Sequence, residues 1–142
     1  VASHTDKAYE KQLEDLRERL LRMAGRTEQM IANSVRALIT RDEALARSTV
    51  DADHAVNRME VETDELCLVI LAKRQPLASD LRFITLALKM VTDLERIGDL
   101  AVNICERAID LSRSSHPIAL PDISPMALIV QSMVHDAIEA FI

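Results

Sequence analysis

Apolar residues recur along this chain at steps of three and four, the spacing of one face of an α-helix. From about Thr5 to Ile39 the line runs through Leu13, Leu16, Leu20, Met23, Thr27, Met30, Ser34 and Leu38, which predicts a first helix. It breaks at Thr40-Arg41-Asp42, where Asp42 is placed to cap a second helix. That helix reaches about Lys73 through Leu45, Ala52, Val56, Met59, Leu66 and Ile70. Gln75-Pro76 ends it, because proline pushes its predecessor out of helical geometry. Ser79 or Asp80 then opens a third helix, whose stripe is Leu81, Ile84, Leu88, Val91, Leu94, Ile97, Ala101, Ile104, Ala108 and Leu111, ending near Arg113. Asp80 and Arg82 stand where they can cap backbone amides and tie the turn to Arg74. Short connections make the three helices antiparallel neighbours, each roughly 45–50 Å long at about 1.5 Å per residue.

Residues 114–123 carry two prolines and no helical period, so they read as a linker. Ser124-Pro125 supplies an N-cap followed by proline, and Met126, Ile129, Val130, Met133, Ala137, Ile138 and Phe141 form a new apolar face. Sliding the chain by 103 residues aligns Met23-Ala24 with Met126-Ala127, Met30 with Met133 and Ala37-Leu38-Ile39 with Ala140-Phe141-Ile142, with five of seventeen positions identical. The expected architecture is all-α: an antiparallel three-helix bundle over 1–113, a linker over 114–123, and over 124–142 the first helix of a second, incomplete bundle. Without two helices to cover it, the fourth helix is expected to drive self-association, making the chain a homo-oligomer.

Composition narrows this further. Apolar residues make up 49% and charged residues 28% of the chain, with two glycines and three aromatics, a balance suited to long packed helices. The formal charge of −6, with no stripe of Lys and Arg to neutralise phosphates, argues against a nucleic-acid binder. No apolar run approaches the roughly 20 residues that span a bilayer, and residues 1–12 lack a signal-peptide core, so a cytoplasmic protein without direct membrane insertion is expected. Cys67 and Cys105 sit singly within helical stripes and read as reduced core residues.

Candidate chemistry is concentrated in acids. On the second helix Asp53, Asn57, Glu60 and Asp64 follow steps of four, three and four; on the third, Glu95, Asp99, Asn103 and Glu106 follow a similar rhythm. Antiparallel pairing about Gln75-Pro76 brings residue 60 near 95 and residue 57 near 99, so the two stripes should meet. A solvated acidic face is the common reason for such spacing, and Arg58 and Arg96 could neutralise it. Yet eight oxygen ligands across a narrow gap would repel and raise one another's pKa values, a cost that a cation removes. With no histidine or cysteine in the set, the site suits magnesium, calcium, manganese or oxygen-ligated iron better than zinc. The di-iron pattern Glu-x-x-His does not occur. His54 lies among acids that would repel a phosphoryl group, and His4, His116 and His135 fall at a terminus, a linker and the fourth helix, where exposure is expected. No nucleophile with its base and no glycine-rich phosphate loop appears, so nothing supports an enzyme.

Read together, Met23-Ala24-Gly25, Asn57-x-x-Glu60, Ala72-Lys73-Arg74-Gln75-Pro76 through Asp80-Leu81-Arg82, and Leu94-Glu95-Arg96-Ile97-Gly98-Asp99 resemble the PhoU family, cytoplasmic regulators associated with the phosphate-specific ABC transporter. The resemblance implies two similar three-helix bundles, in accord with the 103-residue repeat, and Glu/Asp-x-x-x-Asp motifs that bind metal clusters on the bundle surface. Glu95-x-x-x-Asp99 matches that motif and Glu60-x-x-x-Asp64 is its counterpart on the second helix, with Asp53 and Asn57 as further ligands. It also implies negative regulation without catalysis: in plentiful phosphate such a protein holds the Pho sensor histidine kinase inactive and restrains the transporter. The sequence departs from the family pattern in holding only the opening helix of the second bundle. A metal-storage or metal-handling helical protein, and a structural helix-bundle adaptor, are the alternative readings.

Overall fold

The computed structural model describes residues 2–116 and 119–141, with side chains from Asp6 onward. Among these residues the regular structure is helical: α1 Ala2–Thr40, α2 Glu43–Arg74, α3 Ala78–Ser112 and α4 Ser124–Phe141. The first three pack against one another, and α4 lies along α1.

Each bundle helix buries a line of residues at alternating steps of three and four, the seam of a coiled-coil-like packing. In α1 this line is Leu16, Leu20, Met23, Thr27, Met30, Ser34 and Ala37; in α3 it is Ile84, Ala87, Val91, Leu94, Gly98, Ala101, Cys105 and Ala108. Burying each large aliphatic side chain here is worth about 1.5–3 kcal/mol. The buried hydroxyls on this and the next helix bond back to their own backbone, Thr27 to the Met23 carbonyl (2.8 Å) and Thr63 to the Met59 carbonyl (2.6 Å). Both cysteines are free and buried, as their place in the apolar stripes predicted.

The connections differ in how they are closed. Arg41, at φ 56°, turns the chain out of α1, and Asp42 accepts from the Leu45 N–H at 3.0 Å, capping α2 as expected. Gln75 adopts a left-handed conformation at the end of α2, and Pro76 is buried. The start of α3 departs from expectation. Leu77 occupies the cap position without a side-chain bond, and Asp80 instead accepts the Tyr9 hydroxyl at 2.8 Å. Arg74 reaches Gln12 at 2.9 Å rather than the turn acids. Both polar groups of the turn are therefore used to fasten α1, because its N-terminal half packs directly over them.

The fourth helix is a second correction. At its start the Asp122 carboxylate, rather than the Ser124 hydroxyl, is the acceptor, taking the Ser124 N–H at 3.0 Å. Ala127 and Ile138 are buried, and Val134 and Phe141 pack on the bundle core, with the Phe141 ring stacked on Phe83 at 5.4 Å. Met126, Ile129, Val130 and Met133 stay exposed. One edge of the expected apolar face is thus covered by the chain's own bundle, since a helix laid along α1 can bury only the side turned towards it.

Candidate metal-binding seam

In α2 the buried line reads Ala46, Thr49, Val56, Thr63, Cys67 and Ile70, and the rhythm of three and four has two positions missing from it. Those positions are Asp53 and Glu60. Neither acid belongs to the apolar stripe of Ala52, Val56, Met59 and Leu66 read from the sequence. Both acids occupy the seam itself, and Ala52 is exposed.

Gly98 in α3 makes room for this. A β-carbon at Gly98 would stand 3.1 Å from Asp53 Oδ1 and 3.9 Å from the Met30 methyl carbon, so Asp53 fills the space that a side chain on α3 would otherwise take. Asn57 donates to Asp53 Oδ2 across one helical turn at 3.4 Å. Asp53 Oδ1 and Asn57 Oδ1 are both buried without a hydrogen-bond partner. Oxygen acceptors left unpaired in this way carry a desolvation cost of about 1–3 kcal/mol each, more for a charged group.

The electrostatics follow from crowding. Burial pushes the Asp53 carboxyl up, and the Asp99 charge adds to it. Burial also raises Glu60, with Asp64 and Asp99 contributing. Glu95 is raised furthest, to about 7, by burial first, then by a hydrogen bond with Asp99 and the charges of Asp99, Glu60 and Asp53. These mutual effects place Asp53, Glu60, Asp64, Glu95 and Asp99 in one neighbourhood, the register expected from pairing about Gln75-Pro76. Asn103 and Glu106, by contrast, are exposed further along α3, and Glu106 acts on Cys105 rather than on the cluster. Among the described residues neither Arg58 nor Arg96 forms an ion pair with these acids.

The donor set is all oxygen, and its orphaned acceptors suit a hard cation in chemistry. Its side chains do not form a closed cage: among the described residues no group of three or more His, Cys, Asp and Glu stands in an arrangement that could hold a metal ion. Instead, burial and the neighbouring Asp99 favour the protonated form of Glu95, which lessens the repulsion. Sequence reasoning found the acids but missed Gly98 as their counterpart, although a glycine inside a helical stripe is itself a signal of close approach. It also missed Glu28 and His135, which meet across α1 and α4 with His135 Nδ1 at 3.3 Å from the Glu28 carboxylate. Among the described residues no helix is long and apolar enough to cross a membrane.

The PhoU domain family matches residues 20–108, which include the seam. The chain is 38% identical over 138 residues to the phosphate-specific transport system accessory protein PhoU of Edwardsiella tarda, covering 97% of this chain and 57% of that protein. It is 42% identical over 142 residues to the PhoU homolog of Pseudomonas aeruginosa, covering 99% and 59%. The chain therefore spans somewhat over half the length of these relatives. The crystal structure of PhoU from Pseudomonas aeruginosa superposes with a TM-score of 0.88 at 42% identity, over 94% of this chain and 64% of that one. The phosphate transport system regulatory protein PhoU from Streptococcus pneumoniae gives 0.84 at 26% identity, over 93% and 62%. On domain, sequence and fold alike, the chain belongs to the PhoU family.

Proposed function

We propose that this chain is the first repeat, with the opening helix of the second, of a cytoplasmic negative regulator of phosphate uptake and Pho signalling. It acts by protein contacts with the phosphate ABC transporter and the Pho sensor histidine kinase, without chemistry of its own. The support is the identity of 38–42% over nearly the whole chain to proteins named as phosphate-specific transport system accessory proteins. A hard cation, such as iron, magnesium, manganese or calcium, is held across α2 and α3 by Glu60, Glu95 and Asp99 with Asp53, Asn57 and Asp64. The observation that carries this part is the pair of orphaned acceptors, Asp53 Oδ1 and Asn57 Oδ1, buried in a seam of raised carboxyl groups. Binding requires the exposed Asp99 and the half-buried Glu60, Asp64 and Glu95 to change rotamer and converge. A bound cation supplies positive charge in place of the proton on Glu95, and the repulsion between the helices falls.

Three measurements test the reading. Loss of the gene should switch on phosphate-starvation genes in phosphate-rich medium, and a pull-down should recover the transporter ATPase and the kinase. Unchanged expression together with retained metal would instead favour a metal-handling protein. Glu95→Ala with Asp99→Ala should abolish metal content by elemental analysis; wild-type content in the double variant would refute the ligand assignment.

A further inference from the structure

The junction between α1 and α4 is thinly packed, since of the 18 residues of α4 only Ala127 and Ile138 are buried. The two helices run antiparallel, with Ala127 and Leu128 beside Val35 and Ile39, and His135 beside Glu28. His135 stands between two carboxylates: its Nδ1 is 3.3 Å from Glu28 Oε1 on α1, and its Nε2 is 3.2 Å from Glu139 Oε1 one turn further along α4.

We propose that His135 is a proton-operated staple that tightens α4 against α1 when charged and loosens it when neutral. A neutral imidazole has one N–H and one lone-pair nitrogen, whereas a carboxylate only accepts. Both ring nitrogens can therefore donate to carboxylate oxygens only in the imidazolium form. Loss of the proton turns one of the two contacts into a lone pair facing a negative oxygen and leaves Glu28 and Glu139 repelling each other across an uncharged ring. Histidine ordinarily titrates near pH 6.5, within the physiological range.

The surrounding charges do not replace this contact. On α1, Arg36 lies towards the other end of the junction, beside Ser124 and Ala127. Lys89, Asp93 and Arg107 of α3 line the grooves it forms with α4 through Met133 and Val134. Asp136, next to His135 on α4, adds a further negative charge. When protonated, His135 places a positive charge between Glu28 and Glu139.

The test is amide hydrogen exchange of the 142-residue chain at low ionic strength. Exchange is followed from about pH 5.5 to about pH 8, spanning the histidine range, and corrected for intrinsic exchange rates. Protection of residues 124–141 should fall about two- to five-fold relative to α2 and α3 across that window, the size expected of exposed ion pairs. Added salt should shrink the change. His135→Gln and Glu28→Gln should both flatten it; the first position is exposed and the second half-buried, and neither lies in the bundle core. A flat wild-type profile, or a pH dependence that survives intact in either variant, would overturn the proposal.

Discussion

At the scale of single residues, Gly98 and the Asp53 carboxylate it admits shape the seam. Alanine is ordinarily preferred to glycine inside a helix by about 0.5–1 kcal/mol. Gly98→Ala should deliver less than this gain, because the new β-carbon meets Asp53 Oδ1 at 3.1 Å and the carboxylate must give way slightly within a packed seam. Cation affinity, measured by calorimetry, should weaken at the same time; unaltered affinity would show that Asp53 is not a ligand. The raised Glu95 carboxyl makes a second prediction. An unfolded Glu95 releases its proton near pH 4.5, while the folded one holds it to about 7. Its effect on stability is therefore most favourable below the unfolded value and is lost as pH rises through that window. Asp53 and Glu60 push the same way. Urea midpoints should fall over this range in metal-free protein, and Glu95→Gln should reduce the slope.

At the scale of elements, the two ends of the bundle are fastened by different chemistry. Near the α2–α3 turn, Tyr9 and Arg74 tie α1 to its neighbours through Asp80 and Gln12. At the opposite end, Glu43 at the start of α2 accepts from Arg113 beyond α3 and from Arg47 of its own helix, each at 2.8 Å. The hydrogen bonds from Arg113 and Arg47 hold its carboxyl down to about 2. For a depressed carboxyl the stabilisation is present above the unfolded pKa and lost as pH falls through the folded one, here from about 4.5 to about 2. Glu43→Gln should raise the pH at which acid unfolding begins, read by circular dichroism. An unchanged acid limb would mean that the solvent-exposed pairing contributes nothing to stability.

At the scale of the whole molecule, the exposed apolar residues on α4 set the behaviour in solution. Met126, Leu128, Ile129 and Met133 are each more than 60% exposed, and Met133 also lines the apolar groove between α3 and α4. Burying such a side chain is worth about 1.5–3 kcal/mol, so this 142-residue chain is expected to self-associate with rising concentration. Light scattering over a concentration series should report it. Met133→Glu together with Ile129→Glu should return the chain to a monomer without loss of helicity, since neither side chain is buried.

The helices and their approximate ends at Asp42 and Gln75-Pro76 were legible in the sequence, as was the pairing of α2 with α3 that carries the acids, because helical periodicity and antiparallel register are local or simply additive properties. The sequence also contained the family motifs. The placing of Asp53 and Glu60 in the packed seam came from tertiary packing, for burial depends on what stands opposite, and opposite Asp53 it is a glycine that leaves the space. Tertiary packing likewise took Asp80 from the helix cap and gave it to Tyr9, and divided the apolar face of α4 between the bundle and solvent. The pairing of Glu28 with His135 joins residues 107 positions apart, far beyond the three- and four-residue helical spacing, and the docking of α4 on α1 brings the two together.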